Sequence, residues 1–297
     1  MRSLTLFLGV LAVSTAPPLI LMAGVPPFAL AAWRLCVVAL LFLPFTGRDM
    51  VRDLRKLDSR NRLWIVIAGV LYGSHFSLFN LAFSHTSKES VVILLGAQPL
   101  MAAAVGAIWL NEKITRMMLA ASGLACAGLA LFVWDDYSFD SEHLYGDSLV
   151  LLCGIAIVGS YSFGRRLRAK MSLRGYLGSL YVFGGVTCLT SALIVQDPLW
   201  GYEPNQWGWL AAAVLVPTLV GHSLFHYVVK YVQVFYINLT ILGEPIIALA
   251  LMYLLRNDFE VFAQTSLTSF QLLGGGLLLV GVAVGLISNR QKTESSA

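Results

Sequence analysis

The chain has 297 residues, of which 58% are hydrophobic and 12% charged, with a mean hydropathy of +0.76. A soluble domain carries roughly 25% charged residues, so the composition excludes a water-soluble globular protein and points to a lipid bilayer. The formal net charge of +4 follows from where the basic residues fall between apolar segments, and it calls for no nucleic-acid partner.

A spanning helix takes about 20 mostly apolar residues. On that measure the chain divides into ten candidate spans: 4–23, 28–45, 63–84, 90–110, 117–134, 147–164, 175–195, 207–229, 234–255 and 270–288. The alternating strand-length segments of a membrane β-barrel are absent, so the expected fold is an all-α membrane bundle. The first span has one early arginine and an apolar core, features of a secretory signal peptide. Pro17-Pro18, the apolar run to Met22 and the lack of a small-x-small cleavage site favour a retained helix instead.

Lys and Arg collect in cytoplasmic loops. With the N-terminus inside, the inner segments hold Arg2, then Arg48, Arg52, Arg55, Lys56, Arg60 and Arg62, then Lys113 and Arg116. They also hold Arg165, Arg166, Arg168, Lys170, Arg174, Lys230, Arg290 and Lys292, which makes seventeen of the 20 basic residues. Lys88 and Arg256 fall outside and Arg34 lies within a span. Acids gather on the outer side at Asp135, Asp136, Asp140, Glu142, Asp197, Glu203, Asp258 and Glu260. This asymmetry predicts ten crossings with both termini cytoplasmic. Cys36, Cys126, Cys153 and Cys188 lie inside spans without metal-type spacing, and read as small apolar packers.

The chain repeats itself. LGAQPLMAAAVGAIWLNE (95–112) and ILGEPIIALALMYLLRND (241–258) align at an offset of 146 residues, pairing Gln98-Pro99 with Glu244-Pro245. Ser-Leu-Phe recurs at the same offset in HFSLFN (75–80) and HSLFHY (222–227). An odd number of helices per half makes the second half enter from the opposite side, the inverted repeat found in secondary transporters. The expected organisation is a first repeat at 1–134, an outer connecting loop at 135–146, a second repeat at 147–289 and a cytoplasmic tail at 290–297. Pro99 and Pro245 are matched helix breaks, since each removes a backbone N–H and frees a carbonyl; such breaks are tolerated where they line a cavity. Pro17 and Pro18 break the first span.

Together these segments resemble the drug/metabolite transporter superfamily, in particular the bacterial EamA-domain carriers. The resemblance is carried by AVSTAPPLI (12–20), AAWRLCVVALLFLP (31–44), the block from His75 to Thr115, GHSLFHYVVKYV (221–232) and ILGEPIIA (241–248). It implies ten helices in two inverted repeats, residence in the bacterial inner (plasma) membrane, and export or exchange of small metabolites by alternating access. Amino acids are one substrate class in such carriers; nucleotide sugars, sugar phosphates and triose phosphates belong to other branches. Two departures stand out: LLRND (254–258) replaces the Gly-Glu pair that often ends the ninth helix, and related chains tend to have Asn near His226.

Depth along the spans selects the candidate substrate-binding residues. Glu244, nine residues beyond Phe235, lies roughly 14 Å in, near the midplane, and Gln98 and His75 reach similar depths. Arg34 is about 9 Å below the outer surface, and His222 sits in the inner half of its span. A charge at the centre of a spanning helix costs about 2.5–3.5 kcal/mol, so Glu244 and Arg34 should face the bundle interior. Arg34 suits a carboxylate or phosphate, with snorkelling to the interface as the alternative. Glu244 suits an amine or a transported proton, with the backbone groups freed near Pro245, or Arg34 itself, as the alternative partners. Tyr72, Phe76, Tyr161 and Trp33 are candidate cavity walls. His222 and His226 share a face but have no third ligand, so no metal and no cofactor are expected. Ser14 and Thr15 read as local caps for freed carbonyls.

Gly69-x-x-x-Gly73 and Gly281-x-x-x-Gly285 permit close helix approach. The second pair could serve a homodimer through the glycine-rich tenth span or packing within one protomer. No nucleophile–base pair or metal cluster stands at membrane depth, which argues against an enzyme. A channel would need a polar stripe through several helices, whereas the polar residues here form one layer, favouring a carrier. A proton-independent facilitator, or a carrier of sugar-phosphate-type metabolites, is the alternative reading.

Overall fold

The computed structural model describes residues 2–86, 91, 94–134 and 144–294, with the backbone alone for 288–294. The acids of 135–142 and Lys88 lie outside the described residues. Among the described residues the regular structure is helical, without a strand. In chain order they form α1 (Arg2–Val13), α2 (Ala16–Ala23), α3 (Pro27–Lys56), α4 (Ser59–Ala82), α5 (Gln98–Trp109), α6 (Arg116–Phe132) and α7 (Leu144–Leu167). Then come α8 (Leu173–Val195), α9 (Pro204–Ala213), a π-helical stretch Val214–His222, α10 (Ser223–Val228), α11 (Val234–Ile241), α12 (Glu244–Leu254) and α13 (Ser269–Glu294). Eight segments are long and apolar enough to cross a membrane, counting Arg2–Ala23, Pro204–Val228 and Val234–Leu254 as one each; Gln98–Trp109 and Arg116–Phe132 are shorter apolar helices.

Local chemistry sets the helix ends. Asp58 Oδ1 accepts from Asn61 N (2.8 Å), Thr115 Oγ1 from Met118 N (3.2 Å) and Ser172 Oγ from Gly175 N (3.0 Å), each an N-cap that satisfies an orphan donor. The hydrogen bond from the Asn61 backbone N–H holds the exposed Asp58 carboxyl below the usual carboxylate range. α3 is capped from far away: Asp197 Oδ2 accepts from Phe28 N (2.9 Å) and Ala29 N (3.2 Å). This helix runs on through Pro44 to Lys56, well past the span expected at 28–45. At 30 residues it is about 45 Å long, so its basic last turns extend beyond the hydrocarbon.

The breaks fall at the prolines. α1 ends at Val13 and α2 begins one residue before Pro17; α11 stops at Ile241 and α12 begins at Glu244 with Pro245 second; α5 begins at Gln98 with Pro99 second. Proline is tolerated there because a helix's first N–H groups lack intrahelical partners. Ser14 Oγ donates to Val10 O (2.7 Å) and Thr15 Oγ1 to Ala12 O (2.7 Å), the local bonding expected of both. One break was not foreseen: Pro217 removes the N–H that would bind Ala213 O, the stretch widens to π geometry, and Thr218 Oγ1 takes that carbonyl at 2.9 Å.

α3 packs on α8, α6 on α13, α5 on α11, α4 on both α7 and α8, and α1 on the π stretch and α10. Lipid gives no hydrophobic drive for such pairing, so contact depends on close backbone approach. A Cβ on Gly73 would lie 2.5 Å from Gly184 O and 2.8 Å from Thr187 Cβ; one on Gly128 would lie 2.7 Å from Gly274 O. A Cβ on Gly281 would meet Ala125 N at 2.7 Å, and one on Gly285 would strike the Leu239 side chain. The Gly281–Gly285 pair is therefore used for helix packing within the chain, while Gly276 on the same helix faces open space. The outer surface is apolar, with side chains such as Ile108 (84% exposed) and Phe45 (75%) turned outward.

At one end of the bundle, charged groups tie segments together. Arg165, near the end of α7, pairs with Glu112 (2.5 Å) and donates to Val229 O (3.2 Å) and Val232 O (2.8 Å). Arg166 donates to Trp109 O and stacks over the Trp109 ring at 4.5 Å.

Candidate functional site

A cavity of about 350 Å³ opens among α1–α7, the π-helical stretch and α10–α13. Arg34, His75, Phe76, Gln98, Tyr161, His222, Glu244, Pro17 and Pro245 all line it. Tyr72 does not: it is fully buried behind the wall, packed against Phe76, Tyr181, His222 and His226. Trp33 is not a wall either; its Nε1 donates to Leu199 O (2.9 Å) and its ring meets Trp200 and Trp207. Pro18 and Pro99 are buried in helix starts off the wall.

Arg34 is 3% exposed and does not snorkel. Its Nε donates to Thr218 Oγ1 (2.8 Å), and its guanidinium lies 4.5 Å from the Phe76 ring centre. Thr218 is itself held: its carbonyl accepts from Tyr181 Oη at 2.9 Å. The widened π stretch thus presents a hydroxyl that fixes the arginine by one nitrogen and leaves the fork free for a planar anion.

Glu244 is the first residue of α12, where unsatisfied N–H groups and the helix dipole favour a negative charge. Among the described residues the ion pairs are Arg52 with Asp49 and Asp53, and Arg165 with Glu112; neither cavity charge is spent in one. The cavity therefore holds a guanidinium and a carboxyl that no ion pair among the described residues engages. Between them the wall is largely apolar and aromatic, including Phe79, Phe132, Phe225, Leu95 and Ile241. His75 Nδ1 sits 3.2 Å from Cys153 O and 3.0 Å from Cys153 Sγ, which fixes the ring.

The 146-residue offset reappears on the wall. Phe76 and His222, Phe79 and Phe225, Leu95 and Ile241, Gln98 and Glu244 are each 146 apart, and all eight line the cavity. Phe79 and Phe225 are the phenylalanines of the repeated Ser-Leu-Phe, so the sequence already contained a signal for them. Thr218 carried no such signal beyond the neighbouring Pro217.

The sequence profile of the EamA-like transporter family matches residues 3–134 and 144–287. The uncharacterized transporter YyaM of Bacillus subtilis is 22% identical over 265 residues, covering 86% of this chain and 83% of its own. The uncharacterized transporter sll1164 of Synechocystis is 24% identical over 273 residues, covering 86% and 74%. The inner membrane metabolite transport protein YgcS of Escherichia coli matches in part, 25% identical over 54% of this chain and 39% of its own. A solved crystal structure of a chain 18% identical superposes over 98% of both with a TM-score of 0.77, which speaks for the fold alone. From its own helices and from these matches over most of its length, the chain belongs to the EamA-like transporter family of the drug/metabolite transporter superfamily and is a membrane transporter.

Proposed function

We propose that the protein is a secondary-active carrier of small zwitterionic metabolites with an apolar body, amino acids or close relatives, working by alternating access. The observation that carries this reading is the guanidinium of Arg34 and the carboxyl of Glu244, engaged by no ion pair among the described residues, on one small apolar cavity. Arg34 takes the substrate carboxylate, Glu244 its ammonium, and the aromatic wall the remainder. The volume is at the lower end of ligand pockets. A sugar phosphate fits less well: its dianion would meet one arginine, the single Lys or Arg among the described residues that line the cavity, and also a carboxylate.

Two halves of opposite orientation, ten crossings and cytoplasmic termini complete the reading. Exchanging the halves maps α3 onto α8 and α6 onto α13, and these helices pack on their own counterparts. It also turns the α4–α7 contact into that between the π stretch and α1, which is likewise made. The four wall pairs at offset 146 support the same axis. On the basic-inside rule the Arg165 end is cytoplasmic. The wall reaches the opposite ends of α4 and α6 at Phe83 and Val133, so the state described is outward-facing, with the Arg165–Glu112 tie closing the inner side. The bacterial inner membrane is the compartment proposed, given its bacterial relatives.

Counterflow in proteoliposomes with a pooled, labelled set of amino acids tests this. Saturable counterflow is expected, with competition by zwitterions bearing large apolar side chains and none by phosphate esters. Competition by phosphorylated compounds alone would replace the substrate class, and single-channel currents would replace the carrier.

A further inference from the structure

Behind the cavity, towards the Arg165 end, lies a run of buried polar groups that substrate binding does not use. His226 is fully buried one turn beyond His222, on the same face of the helix. Its Nδ1 is 3.1 Å from Tyr176 Oη, while its Nε2 has no protein partner. The Tyr161 ring, on the cavity wall, lies 4.9 Å from it, and the Tyr161 hydroxyl and His222 Nδ1 are likewise unpartnered. Beyond Tyr176, in the link between α7 and α8, Arg168 is buried with an unpartnered Nε and donates from its terminal nitrogen to Met171 O (2.8 Å).

Unsatisfied buried polar atoms are rare, and each calls for an explanation such as ordered water. A water needs two to four polar partners; Tyr161 Oη, His222 Nδ1 and His226 Nε2 supply three around one group of rings. We propose that His226 is the proton-relay residue that joins the cavity, through a bound water, to Tyr176 and the cytoplasmic end. The proposal rests on the cavity being the transport site, and adds that transport is coupled to protons.

With Nδ1–H donating to Tyr176 Oη, the free Nε2 takes a proton from the cavity-side water, which regains one from the cavity. The Nδ1 proton passes to Tyr176 Oη as that hydroxyl releases its own to water at the cytoplasmic end, the Arg168 guanidinium offering donors and no acceptor. One proton enters, one leaves, and the ring returns to neutral; reversal of the tautomer resets it. The groups facing His226 are Tyr72 of α4 (5.0 Å between rings), Tyr161 of α7, Tyr176 of α8 and His222 of its own segment, with the field of Arg168 reaching it from the link. α1 also packs on α10, and its one charged residue, Arg2, lies over the Tyr231 ring instead.

The test uses proteoliposomes loaded with a pH dye and the same amino-acid pool. Wild type should move protons when the pool is added. His226→Leu and His226→Asn should keep counterflow, which needs no net proton movement, and lose at least tenfold in substrate-driven proton flux. Unchanged proton flux in both variants would overturn the relay, as would joint loss of flux and counterflow in folded protein, or wild-type counterflow without proton movement. If wild type shows no counterflow, it is the carrier reading that fails; the relay is then decided by ring-nitrogen NMR in bilayers. A water cross-peak at His226 Nε2 would uphold it and a dry ring would overturn it.

Discussion

Arg34→Gln is expected to raise the KM for counterflow by about 10- to 100-fold while the protein still folds. Hydrogen bonds to charged groups contribute about 1.5–3 kcal/mol each, and each 1.4 kcal/mol is tenfold in affinity. Glutamine preserves much of the stem but removes the charge and the planar fork. Arg34→Lys should restore little, because an ammonium cannot reproduce a guanidinium held by Thr218 through Nε and stacked over Phe76. Saturation curves for the two variants, with thermal melting as the folding control, check this. An unchanged KM in Arg34→Gln would assign the arginine to packing alone.

Gly128→Leu should destabilise the bundle by about 3 kcal/mol or more, at the upper end for overpacking. At Gly128 the backbones of α6 and α13 touch: an added Cβ would lie 2.7 Å from Gly274 O and 2.8 Å from Leu278 Cα, atoms that cannot rotate away. Gly123 on the same helix has nothing within 4 Å, so Gly123→Leu controls for the change in residue type. Unfolding in mild detergent should show a large loss for the first variant and almost none for the second; equal losses would contradict the account of the α6–α13 seam.

How far the sequence could be read depended on whether the signal was local. Gln98-Pro99 and Glu244-Pro245 announced themselves because a polar residue and a missing N–H are costly in hydrocarbon wherever the helix turns. Phe79 and Phe225 were marked by the repeat. Tyr72 shows the limit: it lies on the cavity's own helix, between Gly69 and Gly73, and which of its neighbours faces open space is decided by how α8 docks on those glycines. Trp33 is one residue from Arg34 yet joins a cluster with Trp200 and Trp207, since adjacent helical positions point about 100° apart. The π stretch was hidden for another reason. Pro217 alone signals a disturbance, but the answer to it, Thr218 taking Ala213 O and then holding Arg34, requires α3 and α8 to be in place.

Whether Arg34 and Glu244 hold opposite ends of one zwitterion is read from a cycle between protein and ligand: competition for counterflow by an apolar amino acid and by its des-amino acid analogue, in wild type and in Glu244→Gln. In wild type, loss of the ammonium should weaken competition by about 10- to 100-fold. In Glu244→Gln the two compounds should compete within about twofold of each other, because the group that distinguished them is gone. If loss of the ammonium costs the same in both proteins, Glu244 does not meet it, and the assignment of the cavity's charges is wrong.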